Sequence, residues 1–372
     1  MLVRFKQILL LIPPLLCVVM AGLSSLPETF DRFIYDALAR HYSPINFQDR
    51  SVVLIDIDRR SLEAFSGWPL DRSIHAQAIE QLSSAQVSSV TYNVAFIAYG
   101  GPQNASDKAL LSAIRQNGKV ILPMLAEKNQ ELLPFNGLKL SGAKVAHSEL
   151  PLDSDEMLRR NYMHAGIGFP RWPNVPLATL SIYAPVKADD FSGLRSPYLN
   201  LGFSRRWSRD YEVLIPLGVD KFLQQTPRYS LVDLVTGQVD SGTLKNKAVF
   251  IGIADAQLEP KKALAQGMFS ATEIHAFNFA VLNKGYALSP SLPIWAVALG
   301  VLATFCVGLV GLVTMPIWLK LSFIVTGGIL VTVPLMMVSV GYWLSYLPML
   351  VGLVLVSIMS GARFLLAKKS PE

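Results

Sequence analysis

Two carboxylates, Asp56 and Asp58, stand at the end of a short apolar run, Val52-Val53-Leu54-Ile55. Side chains alternate along a strand, so residues two apart share a face. Carboxylates at the C-terminal end of a parallel strand lie where open sheets bind ligands. Together with Arg72 and His275, these two could form a small polar ligand site or coordinate a cation. The structural alternative has Asp58 capping a helix that starts near Ser61 and Asp56 pairing with Arg72. Trp68, in the turn Trp68-Pro69-Leu70-Asp71-Arg72, either packs against the first turn of the following helix or offers its indole to a ligand. Glu273 and His275 open a later helix. They either reach a crevice or serve the helix start, where a glutamate complements the positive dipole end.

Other chemistries find little support. His41, His75, His147 and His164 are isolated, and no pair has the HxH or HExxH spacing that puts two nitrogens on one metal. No G-x-S-x-G elbow is present, and the Gly100-Gly101 and Gly166-Ile167-Gly168 pairs lack the spacing of a phosphate loop. The expectation is no metal, no cofactor and no catalytic constellation.

The elements that must position these residues alternate in type. Val52–Ile55 reads as a buried strand. Asp71 caps a helix whose inner side carries Ile74, Ala78, Ile79 and Leu82. A strand follows at 89–94, a helix from Asp107 to Gln116, and a strand at 119–122 that Pro123 stops. The stretch 124–210 reads as loops, edge strands and a short helix near Leu177–Tyr183. Strands return at 213–215 and 248–252. A helix at 272–283 then puts Ile274, Phe277, Ala280 and Val281 on its core face. Strand–helix–strand repetition predicts an α/β fold with a mixed, largely parallel sheet flanked by helices.

Composition separates this middle from the ends. The chain of 372 residues is 51% hydrophobic and only 16% charged. No Asp or Glu precedes Glu28, and after Glu273 the one acidic residue is Glu372. Six basic residues flank the apolar ends: Arg4, Lys6, Lys320, Arg363, Lys368 and Lys369. Without them and Glu372, the 33 basic and 27 acidic residues reduce to a net of +1 in the middle. A near-neutral domain has no field to steer a polyanion, so nucleic acid is not an expected partner. Cys17 and Cys306 both fall in apolar segments, which leaves the middle without a disulfide.

Apolar runs at 7–23, 293–313, 317–338 and 344–366 approach the length of about 20 residues that crosses a bilayer core. The first reads as a retained anchor kinked by Pro13-Pro14. Basic flanks on the cytoplasmic side place both termini inside, with residues 24–290 as an extracytoplasmic domain and 367–372 as a cytoplasmic tail. No Asp, Glu or His lies within the spans, which argues against a transporter.

Several segments resemble one family in order: VVLIDIDRRSL at 52–62, GWPLDRSIHAQAI at 67–79, YNVAF at 92–96, KAVFIGIA at 247–254 and TEIHAFNFAVLNKG at 272–285. With three spans after the last, they are similar to the type-two CHASE extracellular sensory domains of bacterial cyclases and histidine kinases. The chain departs from that pattern at Asn93, where an acidic residue is usual. It departs again at Ile253-Ala254-Asp255-Ala256, in a loop that usually runs through small residues to an Asp. Ser270-Ala271 stand where a proline is common.

The resemblance implies an extracytoplasmic sensor in a bacterial inner membrane. Only 367–372 follow the last span, so the expected member stands alone. It would signal to a separate output protein, a cyclase or kinase, or across a homodimer in the lipid bilayer. The alternative is a structural or assembly factor of an envelope complex that binds no ligand.

Overall fold

The computed structural model describes residues 9–24, 26–41, 51–97, 105–127, 130–134, 138, 141–196, 206–313, 328, 332–333 and 335–369. The chain divides into two compact units, Ala39–Leu288 and Met1–Leu38 with Ser289–Glu372.

The first unit is built on β1 (Val52–Ile57), β2 (Ser89–Tyr92), β3 (Val120–Glu127), β4 (Gln130–Leu132), β5 (Lys144–His147), β9 (Arg228–Ser230) and β10 (Ala248–Ile253). These form one seven-stranded sheet in the order β4-β3-β2-β10-β1-β9, with β5 also on β3. Every pairing is parallel except β3 with β4. The largely parallel sheet expected from the sequence is therefore present.

Strand alternation divides the core in two. Val52 and Leu54 of β1, Ile121 of β3, and Ala248 and Phe250 of β10 face one side. There they meet the helices Val175–Tyr183, Val219–Gln225 and Ala271–Asn283. Val53, Ile55 and Ile57, with Val249 and Ile251, face the other side. Four helices cover it: Arg72–Ser84, Ala105–Asn117, Leu231–Val235 and Ser241–Leu244. A sheet buried on both faces explains why its strands read as continuous apolar runs.

Two expectations change here. β3 does not stop at Pro123 but continues to Glu127. The pairing of β2 with β3 ends at Thr91 opposite Ile121, so a proline at 123 interrupts no bond to β2. The stretch 124–210 is also more regular than its composition suggests. β6 (Arg160–Ile167) pairs antiparallel with β7 (Trp172–Pro173) and β8 (Trp207–Leu214) in a separate three-stranded sheet. Asn161, Met163 and Ala165 form its buried face. The buried asparagine breaks the apolar alternation that marks a strand.

In the second unit three apolar helices pack together: Ile12–Leu23, Pro293–Val313 and Leu347–Lys369. Leu11, Val307, Met349, Leu353 and Val356 form their core. Glycines set the spacing, since a Cβ at Gly308 would strike Leu11 and one at Gly352 would strike Thr304. Small residues allow such close approach of apolar helices. Pro13 and Pro14 lie in the first turn of their helix, where a missing amide costs no intrahelical bond. The residues that precede Leu9, where the expected anchor begins, lie outside the described residues.

Among the described residues no single helix is long and apolar enough to cross a membrane. Ile12–Leu23 and Glu28–Arg40 pass that test only together, bent by 80°. The expected span 317–338 lies largely outside the described residues.

Candidate functional site

The apolar run of β1 ends at Asp56, whose side chain is on the face covered by the helix Ala271–Asn283. β9 lies beside β1 with Leu54 opposite Arg228 and Asp56 opposite Ser230. This register brings the Arg228 guanidinium to Asp56, Nε to Oδ2 at 2.7 Å. The same guanidinium donates through its other arm to Glu273 Oε1. Glu273 uses its second oxygen in a capping box. The Ser270 amide donates to Glu273 Oε2 at 2.7 Å, and the Glu273 amide donates to Ser270 Oγ at 3.2 Å. One arginine thus bridges a strand-end carboxylate and a helix-start carboxylate.

Close packing fixes this geometry. Gly252 lies opposite Asp56 on the neighbouring strand, and a Cβ there would collide with Thr272 Oγ1. Glycine lets the helix start settle onto the sheet.

Asp56 is only 15% exposed. Burial pushes its carboxyl up to about 6, against the pull of Arg228. The negative charges of Glu273 and Asp58 push the same way, and Lys261 opposes them. A buried acid poised near neutrality beside a second carboxylate is a physical signature of functional sites. Chemically, the trio can bind or release a proton and present a charge pair to a ligand.

Asp58 is otherwise occupied. Its Oδ1 accepts from the Ser61 amide at 2.9 Å, from Ser61 Oγ at 2.7 Å and from Ser230 Oγ at 2.7 Å. It therefore caps the helix Arg59–Ala64. Burial raises its carboxyl, but the hydrogen bonds from Ser230 and Ser61 and the charge of Arg60 outweigh burial and hold it below the usual carboxylate range.

Arg72 does not pair with Asp56, as the structural alternative had it. It bonds Asp107, while Asp71 caps the Arg72–Ser84 helix through the Ser73 amide and accepts from Ser106 Oγ. These bonds tie the starts of two neighbouring helices together. Trp68 stands in the turn before that helix with 37% of its surface exposed.

His275 lies two residues beyond Glu273 and therefore on another side of the helix. It is fully buried, and burial pushes its imidazole down to about 4. His147, at the end of β5, is also buried. Burial pushes it down to about 3, with the charges of His275 and His164 acting in the same direction. Among the described residues no group of three or more His, Cys, Asp or Glu could hold a metal ion.

The six residues singled out in sequence thus separate. Asp56 and Glu273 meet, Asp58 sits beside them as a cap, and Trp68, Arg72 and His275 lie in other surroundings. Arg228 was missed, because a three-residue strand after Pro227 carries no periodicity. The signal available was indirect, namely two carboxylates that need a cation.

The model of the CHASE2 domain matches residues 14–313. The chain belongs to the CHASE2 domain family. The match begins inside the first apolar helix and ends with the helix Pro293–Val313. CHASE2 domains are extracellular sensory domains that typically associate with cyclase or kinase output domains. Among curated proteins and among solved structures, nothing matches the chain.

Proposed function

We propose that this CHASE2 protein is a multi-pass sensor of the bacterial inner membrane, with its α/β unit outside and both termini in the cytoplasm. It binds an extracytoplasmic cue and passes the event through its apolar helices to an output protein, a cyclase or kinase, or across a homodimer. The carrying observation is that one family match spans the domain together with most of the apolar helix before it and the first apolar helix after it.

Further support comes from Asp56, Arg228 and Glu273, a charged trio held at a strand end. Two carboxylates sharing one guanidinium suit the binding of a cue, so the reading is of a receptor. A cue shifts a conformational equilibrium only by binding one arrangement more tightly than the other. The helices Ile12–Leu23, Pro293–Val313 and Leu347–Lys369, packed on small residues, are the parts whose register would change.

The topology is tested by introducing Ser241→Cys, an exposed position, into a chain whose two native cysteines are replaced. A membrane-impermeant maleimide should label intact spheroplasts there, and a C-terminal fluorescent fusion should glow in the cytoplasm. Labelling only after lysis would refute the outward orientation.

A further inference from the structure

Asp56, Arg228 and Glu273 do not balance in charge. Two carboxylates share a single guanidinium, Asp56 through Oδ2 at 2.7 Å from Arg228 Nε and Glu273 through Oε1 on the other arm. Fully ionised, the trio is net negative, and both of its acids are largely buried. Like charges held together away from water drive one acid toward its neutral form.

The charged groups that act on Asp56 come from four directions. Arg228 lies on β9, Glu273 at the start of the helix Ala271–Asn283, Asp58 on the same strand and Lys261 in the loop after β10. Asp58 is spent as a cap, and Lys261 is exposed to water. Neither supplies a second buried cation.

The bonding pattern separates the two acids. Glu273 accepts through both oxygens, from Arg228 at Oε1 and from the Ser270 amide at Oε2. A proton on either oxygen would face a donor. Asp56 meets Arg228 through Oδ2, and among the described residues no donor holds Oδ1. Gly252 stands opposite Asp56, and Thr272 Oγ1 fills the place a side chain there would take. That hydroxyl is buried without a partner among the described residues, and it can accept from a protonated neighbour.

From these observations we infer that the trio is a proton-binding site centred on Asp56, and that acidity outside the membrane sets the balance between the sensor's two arrangements. One proton adds to the Asp56 carboxylate, no other covalent bond changes, and the trio becomes neutral. Such a ligand needs no cavity. Arg228 is 42% exposed, which gives water a path to the site. The helix whose start holds Glu273 ends at Asn283, shortly before the apolar helix that opens at Pro293. Regulation of the arrangements rests on the sensor reading, whereas proton binding does not.

The direction follows from burial, which pushes the Asp56 carboxyl up to about 6. The arrangement with Asp56 buried binds the proton more tightly than one that returns it to water. Acid therefore favours the buried arrangement, and pH rising through 6 disfavours it. Where the second arrangement restores the ordinary value, the balance moves about tenfold between pH 5 and pH 8.

The test compares the full chain in lipid nanodiscs at pH values from 5 to 8, with the proton as the only probe. Infrared difference spectroscopy reads the carboxylic C=O band, and a nitroxide pair on Cys17 and Cys306 reads the apolar helices. A band should appear on acidification with a midpoint near pH 6 and be missing from Asp56→Asn. That comparison subtracts Glu259, another buried acid at this sheet edge, which Lys262 and Asn93 face. The label populations should shift about tenfold in the parent, and Asp56→Asn should hold the acid distribution at every pH. If Asp56→Asn fails to fold, Arg228→Gln, which removes the neighbouring positive charge, should move the midpoint of the band to higher pH. A band that survives Asp56→Asn, or a midpoint that Arg228→Gln leaves unmoved, overturns the proton site. Titration of Asp56 with label distances that ignore pH keeps the site and overturns its regulatory role. The sensor reading is then decided by the response of the same labels to periplasmic extract at fixed pH.

Discussion

Replacing Asp56 with Asn tests whether burial or ion pairing governs the strand-end carboxylate. The folded protein holds the Asp56 carboxyl at about 6, against 3.8 when unperturbed. The folded state therefore binds the proton more tightly than the unfolded chain between those two values. Stability from the protonated form is fully present below pH 3.8 and is lost as pH rises through 6. A shift of about 2 pH units corresponds to about 3 kcal/mol at 1.36 kcal/mol per unit, and this is the cost of the ionised group at pH 7. Asparagine keeps the shape and cannot ionise, so Asp56→Asn should be more stable than the parent at pH 7 by that order. The gain should vanish toward pH 4. For a unit of this size about 3 kcal/mol corresponds to about 6–12 °C in Tm. Thermal unfolding of the full chain in nanodiscs, followed by near-UV circular dichroism from pH 4 to 7.5, measures it. Titrating groups that do not interact with Asp56 cancel in the difference between the two proteins. A lower Tm for Asp56→Asn at pH 7, or a difference independent of pH, would show that the Arg228 pair outweighs burial. A residue that costs stability yet stays in place is expected where function requires it.

Other expectations follow from the same geometry. Burial pushes His75 and His275 down to about 4 and His147 down to about 3. The unfolded chain therefore takes up their protons first, and stability present above pH 6.5 should fall as pH drops toward 4. His275→Leu should make that acid limb of the unfolding curve shallower. Asp58→Ala removes the cap of Arg59–Ala64 and leaves Ser61 and Ser230 short of an acceptor. It should cost about 1–2 kcal/mol, read as a lower midpoint in urea. Gly252→Ala forces the helix start away from the sheet and should cost about 1–3 kcal/mol. Thr272→Ala added to it should recover part of the loss.

Local signals carried most of the fold into view. The β-branched run of β1, the Asp71 cap, the Ala248–Ile253 strand and the Ala271–Asn283 helix all announce themselves within ten or so residues of sequence, and the parallel sheet follows from their alternation. Elements whose stability comes from distant partners stayed hidden. β9 is three residues long and exists because β1 pairs with it. β6 carries buried Asn161 where an apolar residue would mark the strand. The site divides in the same way. Asp56, Asp58 and Glu273 were recognisable from their places at a strand end and a helix start. The Ser61 cap of Asp58 was legible too, but Arg228 and Ser230 were not, because they reach these carboxylates through sheet register alone. The structural alternative pairs Arg72 with Asp56, whereas the packing of two helix starts gives it Asp107.

The most direct measurement of the central claim is the distance between nitroxides on Cys17 and Cys306, the chain's two cysteines, both exposed on apolar helices. Pulsed electron paramagnetic resonance on the full chain in nanodiscs would compare fractionated periplasmic extract with buffer. A sensor predicts that at least one fraction changes the distance distribution and that Arg228→Ala removes the change. One distribution, identical across every fraction, would contradict it.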